Sequence, residues 1–172
     1  MDDLPRCRWA NSSAEMQRYH DEEWGILRDD DTRFFEYLCL EIFQAGLSWD
    51  TIIRKRPQMR AALCSFDFSR IANFSEHDVD RLMTDTRVIR HRTKIEAIIE
   101  NARIFERIVS EHGSFLKFLE EHKQDSLDAW IALFRRTFRF MGPEIVREFL
   151  ESAGMIGTHE PTCHSARLST SR

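Results

Sequence analysis

Two pairs of potential metal ligands lie at opposite ends of the 172-residue chain. Cys7 and His20 are separated by twelve residues, and His159 and Cys163 by three. Two thiolates and two imidazoles would give zinc four suitable donors with no net charge, a common composition for a structural site. A zinc ion bound to all four would join the two ends and stabilise the fold by about a few kcal/mol, as a long-range crosslink does.

Spacing alone does not settle this interpretation. The cysteines near the two ends could equally be unconnected thiols in mobile segments. Further histidines that are available by composition are His112, His122 and His164. Cys39 and Cys64 lie in apolar surroundings, and we expect them to be core thiols instead.

A carboxylate and an aromatic residue flank one turn in the segment Leu40–Trp49. Glu41 interrupts an otherwise apolar helix, and Gly46 ends this helix so that Leu47 is presented at the bend. A base flipped out of DNA needs an aromatic face for stacking and polar groups that read its edge, which Trp49 and Glu41 could supply. Composition alone equally allows an exposed glutamate beside a core tryptophan.

Helices must position these residues, because the chain is typical of an all-α protein. Apolar residues recur with a helical period in several segments, most clearly over residues 95–109, and no strand-like alternation competes. The expected helix starts are Asp31 or Thr32 as an N-cap, a capping box from Ser75 to Asp78, Ser126, and Pro143. The helix that carries Ile52 and Met59 is expected to be interrupted at Pro57.

The net charge of −4 at first argues against a protein that coats nucleic acid. However, residues 1–50 carry 5 basic and 12 acidic side chains, whereas residues 51–110 carry 12 basic and 8 acidic ones. The middle third is therefore locally basic, which suits brief contact with DNA. No apolar run could span a bilayer, and the N-terminus lacks the features of a signal peptide. We therefore expect one cytoplasmic domain.

Several motifs together resemble the DNA-3-methyladenine glycosylase I family of bacterial helix–hairpin–helix repair enzymes. The matching stretches are Arg6–Trp9, Tyr19–Gly25, Leu40–Glu41, Gln44–Trp49, Val88–Arg92, Lys94–Ile95, His159 and Cys163. They follow the family order from residue 6 to residue 163. The strings Tyr-His-Asp-x-Glu-Trp-Gly and Gln-Ala-Gly-Leu-Ser-Trp are highly specific, so the resemblance covers nearly the whole chain.

The resemblance implies an all-α fold, namely a single helical domain of the helix–hairpin–helix DNA glycosylase type over residues 1–172. It implies a structural zinc site that joins the N- and C-terminal segments. The implied zinc ligands are Cys7, His20, His159 and Cys163. The implied regions are the zinc-tied ends 1–25 and 155–164, the helix–hairpin–helix 75–109 and a polar tail 165–172.

The resemblance also implies a base pocket and a surface that contacts DNA. Glu41 and Tyr19 would contact the alkylated adenine, and Trp49 would stack on it. Leu47 would wedge into the gap left by the flipped nucleotide, and a hairpin within residues 86–94 would grip phosphate. The implied DNA-binding residues are Leu47, Arg90, Arg92 and Lys94.

The implied activity is base-excision repair, with monofunctional hydrolysis of the N-glycosidic bond of N3-methyladenine. Methylation makes this base cationic and a good leaving group, so an anionic Glu41 would favour it over neutral adenine. The expected partners are double-stranded DNA with alkylated bases and free 3-methyladenine as the product. We expect a bacterial, cytoplasmic monomer that does not associate with membranes.

Departures from the family pattern leave an alternative function open. Arg87 and Thr93 flank the hairpin where many members have glycine, and a side chain there could block close approach of phosphate. Phe43, Glu144 and Arg147 replace common polar, threonine and tyrosine residues. The alternative is a zinc-stabilised DNA-lesion-binding module with lost or altered excision activity. A zinc hydrolase is disfavoured, because four protein ligands leave zinc no open position for water.

Overall fold

The computed structural model describes residues 4–157 and 159–166. Their α-helices are α1 (Ala14–Glu22), α2 (Asp31–Gln44), α3 (Trp49–Ala62), α4 (Phe68–Ala72), α5 (Glu76–Thr84), α6 (Arg92–His112), α7 (Phe115–Glu121), α8 (Leu127–Thr137) and α9 (Pro143–Ser152). Short 3-10 helices span Arg8–Ser12 and Cys64–Phe66. No strand occurs among the described residues, and the all-α prediction is confirmed. Most of the predicted polar tail, residues 167–172, lies outside them.

Local side-chain hydrogen bonds start several helices where the sequence predicts. The Ser126 hydroxyl accepts a hydrogen bond from the backbone N–H of Ala129 at 3.2 Å, and Pro143 is the first residue of α9. The Asp78 carboxylate accepts the backbone N–H of Ser75 at 2.9 Å, which confirms the capping box.

The cap of α2 lies one residue before the predicted position. Asp30 has an extended backbone, and its carboxylate accepts the N–H of Arg33 at 3.0 Å. Asp31 instead accepts the backbone N–H of Phe115 at 2.7 Å and so ties α2 to α7. Neither Asp31 nor Thr32 is therefore the cap.

The predicted interruption at Pro57 is wrong, because α3 continues through this residue. A proline inside an isolated helix costs about 3 kcal/mol, since one hydrogen bond is lost and the ring clashes with the preceding turn. Here tertiary contacts hold the helix on both sides. Arg56 and Arg60 each lie 2.9 Å from the buried Glu36 of α2, and Arg56 also lies 2.8 Å from Glu23. Part of the basic cluster in α3 is therefore neutralised within the protein.

Phenylalanine side chains from α2, α6, α7 and α9 form the centre of the core. Phe34, Phe35, Phe105, Phe115 and Phe149 are each at most 2% exposed. The rings of Phe105 and Phe115 stack with their centroids 4.3 Å apart. This packing fixes α2 against α9, the two helices that carry most of the site described below. None of the described helices has the length and apolar character needed to cross a membrane.

Candidate active site and metal centre

The two ends of the chain converge on one cluster of potential metal ligands. Sγ of Cys7 lies 3.8 Å from Nδ1 of His159. Sγ of Cys163 lies 3.3 Å from Nε2 of His20 and 3.5 Å from Nδ1 of His159. Tetrahedral zinc, with Zn–S bonds of about 2.3 Å and Zn–N bonds of about 2.05 Å, requires S···N separations of about 3.5 Å. These three separations between predicted ligands are therefore close to those around tetrahedral zinc.

Hydrogen bonds behind the cluster orient its ligands. Nδ1 of His20 lies 2.8 Å from the Asp21 carboxylate, so Nε2 faces the other ligands. Arg6 and His164 hold the same carboxylate at 2.6 and 3.1 Å. Burial opposes ionisation, but these hydrogen bonds keep the pKa of Asp21 well below its usual range. A carboxylate in this position fixes the tautomer of His20 and makes its free ring nitrogen a more basic metal ligand. His164 thus lies behind the cluster rather than among the four ligands.

The protonation states of the cluster also suit a metal. Burial lowers the pKa of His20 and of His159, so both imidazoles are neutral at neutral pH. Burial raises the pKa of the Cys7 thiol to about 11, although the N–H of Glu160, 3.3 Å from Sγ, opposes this shift. A buried thiolate here needs a compensating cation, which zinc would supply.

A cavity of about 440 Å³ lies beside the cluster, between the N-terminal segment, α2, α3 and α9. This volume is adequate for a purine base. Its aromatic lining comes from Trp9, Trp24 and Trp49, and its carboxyl groups come from Glu41, Glu148, Glu151 and Glu160. The indole rings of Trp9 and Trp24 also contact the His20 ring, at centroid distances of 5.3 and 5.9 Å. The same aromatics therefore wall the cavity and pack the metal cluster.

A chain of buried hydrogen bonds joins the predicted pocket residues. The hydroxyl of Ser152 donates to Oε1 of Glu41 at 3.1 Å and accepts the Tyr19 hydroxyl at 3.1 Å. The Tyr19 ring meets the Trp49 indole edge to face, with centroids 5.5 Å apart. Glu41 and Trp49 line the cavity, whereas Tyr19 does not. Tyr19 therefore reaches Glu41 through Ser152, which satisfies the tyrosine hydroxyl, and its contact with the base stays a prediction.

The surroundings of Glu41 oppose its ionisation in the free protein. Burial raises its pKa well above the usual range, and the nearby Glu148 and Glu151 add to the shift, while Ser152 opposes it. Burial therefore shifts the ionisation equilibrium of Glu41 in the free protein towards the protonated carboxyl. A cationic ligand beside Glu41 would reverse this preference.

Lys94, a predicted DNA contact, is buried and its amine is used within the protein, so the structure gives this prediction no support. The side chain is 5% exposed. Its Nζ donates to the carbonyl oxygens of Phe43 at 2.9 Å and Ala45 at 2.6 Å, where α2 ends. A positive charge at the C-terminus of a helix is favourable, so Lys94 anchors α6 to the end of the helix that carries Glu41.

The other predicted DNA contacts lie on the surface. Leu47 is 39% exposed beside the cavity helix, and Arg90 is exposed with no ion pair in the described part of the chain. Arg92 is paired with Glu76 and Asp80. Arg90 and Arg92 lie on or beside the segment 85–91 that joins α5 to α6, the position of the predicted hairpin.

Four residues of α9 that line the cavity were not assigned to the site by the sequence analysis, namely Arg147, Glu148, Glu151 and Ser152. They line the cavity together, because positions three and four apart share one face of a helix. The available signal was this polar face on a helix whose other face is apolar. Its partner across the cavity, Glu41, lies more than a hundred positions away, and periodicity cannot pair such distant segments.

Known proteins show similarity over nearly the full chain. A family model described as methyladenine glycosylase matches residues 9–132. DNA-3-methyladenine glycosylase 1 of Escherichia coli (strain K12) is 35% identical over 179 residues, which cover 93% of this chain and 96% of that protein. A crystal structure of 3-methyladenine DNA glycosylase I has a TM-score of 0.84 and 35% identity over 92% of this chain and 98% of its own. A crystal structure of a tyrosine-to-phenylalanine variant of 3-methyladenine DNA glycosylase I in complex with 3-methyladenine has a TM-score of 0.84. Its identity is 30%, over 94% of this chain and 97% of its own.

Proposed function

The chain belongs to the methyladenine glycosylase family, and we propose how its side chains perform the DNA-3-methyladenine glycosylase activity in base-excision repair. The observation that carries the proposal is the buried Glu41 carboxyl, held by Ser152 at the wall of an aromatic cavity.

Base recognition rests on charge and stacking. The flipped 3-methyladenine nucleotide would place its cationic ring against Trp49 and its polar edge at Glu41. The cation lowers the pKa of Glu41, so its proton leaves and the carboxylate pairs with the base. Neutral adenine would not stabilise the carboxylate in this way, and the cavity therefore selects for the damaged base.

Bond cleavage then follows from the chemistry of the lesion. The electrons of the N-glycosidic bond pass to the cationic base, which leaves as neutral 3-methyladenine, while water adds to the sugar carbon and releases a proton. No lysine lines the cavity among the described residues, and the Lys94 amine is held by two carbonyl groups. A Schiff base with the sugar is therefore not expected, and the DNA strand should remain uncut.

Structural zinc at Cys7, His20, His159 and Cys163 is part of the same proposal. The S···N separations of 3.3–3.8 Å and the Asp21 hydrogen bond support this ion. Zinc would link the N-terminal segment that carries Trp9 to the C-terminal segment, and so hold one wall of the cavity. With all four positions taken by protein ligands, it would not activate water.

The direct test incubates the protein with methylated duplex DNA and separates the products. We expect free 3-methyladenine and an abasic site in an uncut strand. Release of the base with strand cleavage would contradict the monofunctional mechanism. DNA binding without any release would contradict the enzyme assignment and favour the lesion-binding alternative.

A further inference from the structure

A second concave surface, which we call the arginine groove, lies between α6, the end of α8 and the segment that precedes α9. It encloses about 500 Å³. Its charged residues are Glu100, Arg103, Arg107, Arg135, Arg136 and Arg139. Five guanidinium groups thus face a single carboxylate in one groove, which is separate from the cavity that contains Glu41.

Most of this positive charge lacks an acidic partner. Arg139 pairs with Glu100 at 3.0 Å. Arg103 donates only to backbone carbonyls, including that of Ala72 at 2.8 Å. The others, Arg107, Arg135 and Arg136, are exposed and form no ion pair within the described residues. Uncompensated like charges that converge on one concave surface favour an anionic ligand.

The frame of the groove is held rigidly. Asn101 of α6 is fully buried, and it accepts the backbone N–H of Arg139 at 2.7 Å while donating to the Arg139 carbonyl at 3.0 Å. The next residue, Phe140, is 36% exposed and has a left-handed backbone with φ of 61°. Phenylalanine rarely adopts this conformation, so the surrounding structure must enforce it. Arg139 is thus presented by a fixed segment, next to the exposed ring of Phe140.

We propose that the arginine groove binds backbone phosphates of the DNA duplex that flanks the lesion. This inference rests on the proposed glycosylase function, since it concerns the same substrate. DNA is the polyanion that the proposed function already requires this protein to bind, which favours duplex phosphates over an acidic protein as the occupant. Positive charges near the C-terminus of a helix are favourable, which accounts for the arginines in the last turn of α8. It does not account for Arg107 of α6, which lines the same groove.

The charge at the hairpin strengthens this assignment. Near the hairpin, Arg87 pairs with Asp85 at 2.7 Å, Arg92 pairs with acidic residues, and Lys94 is buried. Arg90 is therefore the arginine of segment 85–91 without an ion pair among the described residues. At 1.5 Å per residue, Arg103 and Arg107 lie about 16 and about 22 Å from Arg92 along α6. A duplex that reached both the hairpin and the groove would have to extend at least this far, which is less than one helical turn of about 34 Å. The groove should therefore act only on duplexes long enough to extend past the lesion.

The test compares Arg107→Gln/Arg136→Gln with Lys117→Gln/Lys123→Gln, a control that removes the same charge from exposed positions elsewhere. The affinity for a duplex of about 30 base pairs with a stable abasic-site analogue is measured from about 50 to about 200 mM salt. We expect the slope of log affinity against log salt to fall in magnitude by about 2 in the arginine variant, because each lost phosphate contact contributes about 0.9. The lysine variant should keep the wild-type slope.

Excision provides the second arm of the experiment. At saturating enzyme, the arginine variant should release 3-methyladenine from the long duplex at the wild-type rate, because the base cavity is untouched. An unchanged salt slope would overturn the proposal, and so would equal slope changes in both variants. A slower saturating rate would also overturn it, since the arginines would then act through the cavity. Failure of the wild type to release the base would instead reject the glycosylase function.

Discussion

Replacing Ser152 by alanine probes the link between Tyr19 and Glu41. The substitution removes a hydroxyl that contacts both side chains at 3.1 Å, and it adds no atom to the cavity. The Tyr19 hydroxyl and one Glu41 oxygen would then lose a buried hydrogen-bond partner. The variant should therefore show two separable effects, one on stability and one on base recognition.

The size of each effect follows from the geometry. A buried polar group left without its partner costs about 1–3 kcal/mol, so the free energy of unfolding should fall by an amount in this range. A hydrogen bond to an ionised carboxylate contributes about 1.5–3 kcal/mol, which corresponds to a decrease in kcat/KM of about ten- to a hundredfold. Because the hydroxyl also lowers the pKa of Glu41, the loss should be greater at mildly acidic than at mildly alkaline pH.

Release of 3-methyladenine from methylated duplex DNA across a pH series measures the effect. Ser114→Ala is the matched control, because Ser114 caps α7 by accepting the N–H of Lys117 at 3.2 Å. Loss of this cap costs about 1 kcal/mol of stability without touching the cavity. If Ser152→Ala kept the wild-type kcat/KM, or lost activity only as much as Ser114→Ala, the reasoning on the hydrogen-bonded chain would be refuted.

Three further predictions concern the metal and the carboxyl groups. Cys7→Ser should lose stoichiometric zinc and melt at a lower temperature, whereas Cys64→Ser should keep the metal; metal analysis that finds zinc in both would reject the ligand set. Burial raises the pKa of Glu41, so the wild type loses stability as pH rises above the unfolded carboxyl value of 4.5. Glu41→Gln should therefore melt at a higher temperature than the wild type at alkaline pH, but not at about pH 4. Equal pH curves for both proteins would contradict the buried, costly carboxylate. Glu148→Gln should reduce excision of cationic 3-methyladenine by about three- to tenfold, because it removes a negative charge at the cavity. Binding of a neutral isosteric base in duplex DNA should stay unchanged. Equal losses for both ligands would refute an electrostatic role of Glu148.

Local and repeated signals in the sequence predicted much of the fold. The capping box at Ser75, the cap at Ser126 and Pro143 at the start of α9 depend on neighbouring residues, and the structure shows each of them. The predicted interruption at Pro57 was wrong because the local cost of proline in α3 is offset by ion pairs between α3 and α2. Cys39 is fully buried as expected, whereas Cys64 is only half-buried, in a 3-10 turn with left-handed backbone.

The site required contacts that no local pattern reveals. Residue types and spacing singled out the metal ligands and Glu41 as candidates, the resemblance implied their roles, and the structure brings these residues together. Neither the resemblance nor the spacing indicated Ser152, whose partners lie on α1 and α2. The basic character at Lys94 suggested DNA, but its charge is used at the end of α2. Charge in a sequence thus gives the number of cations, while only tertiary structure shows which of them remain unpaired.

The most direct test of the central claim is the single-turnover release of 3-methyladenine by wild type and by Glu41→Gln, with Glu120→Gln on the distant α7 as control. The wild type and the control should release the base at the same rate. Glu41→Gln should be slower by at least about tenfold, because it cannot provide the carboxylate that stabilises the cationic base. A Glu41→Gln variant that releases the base at the wild-type rate would contradict the proposed role of this carboxyl group.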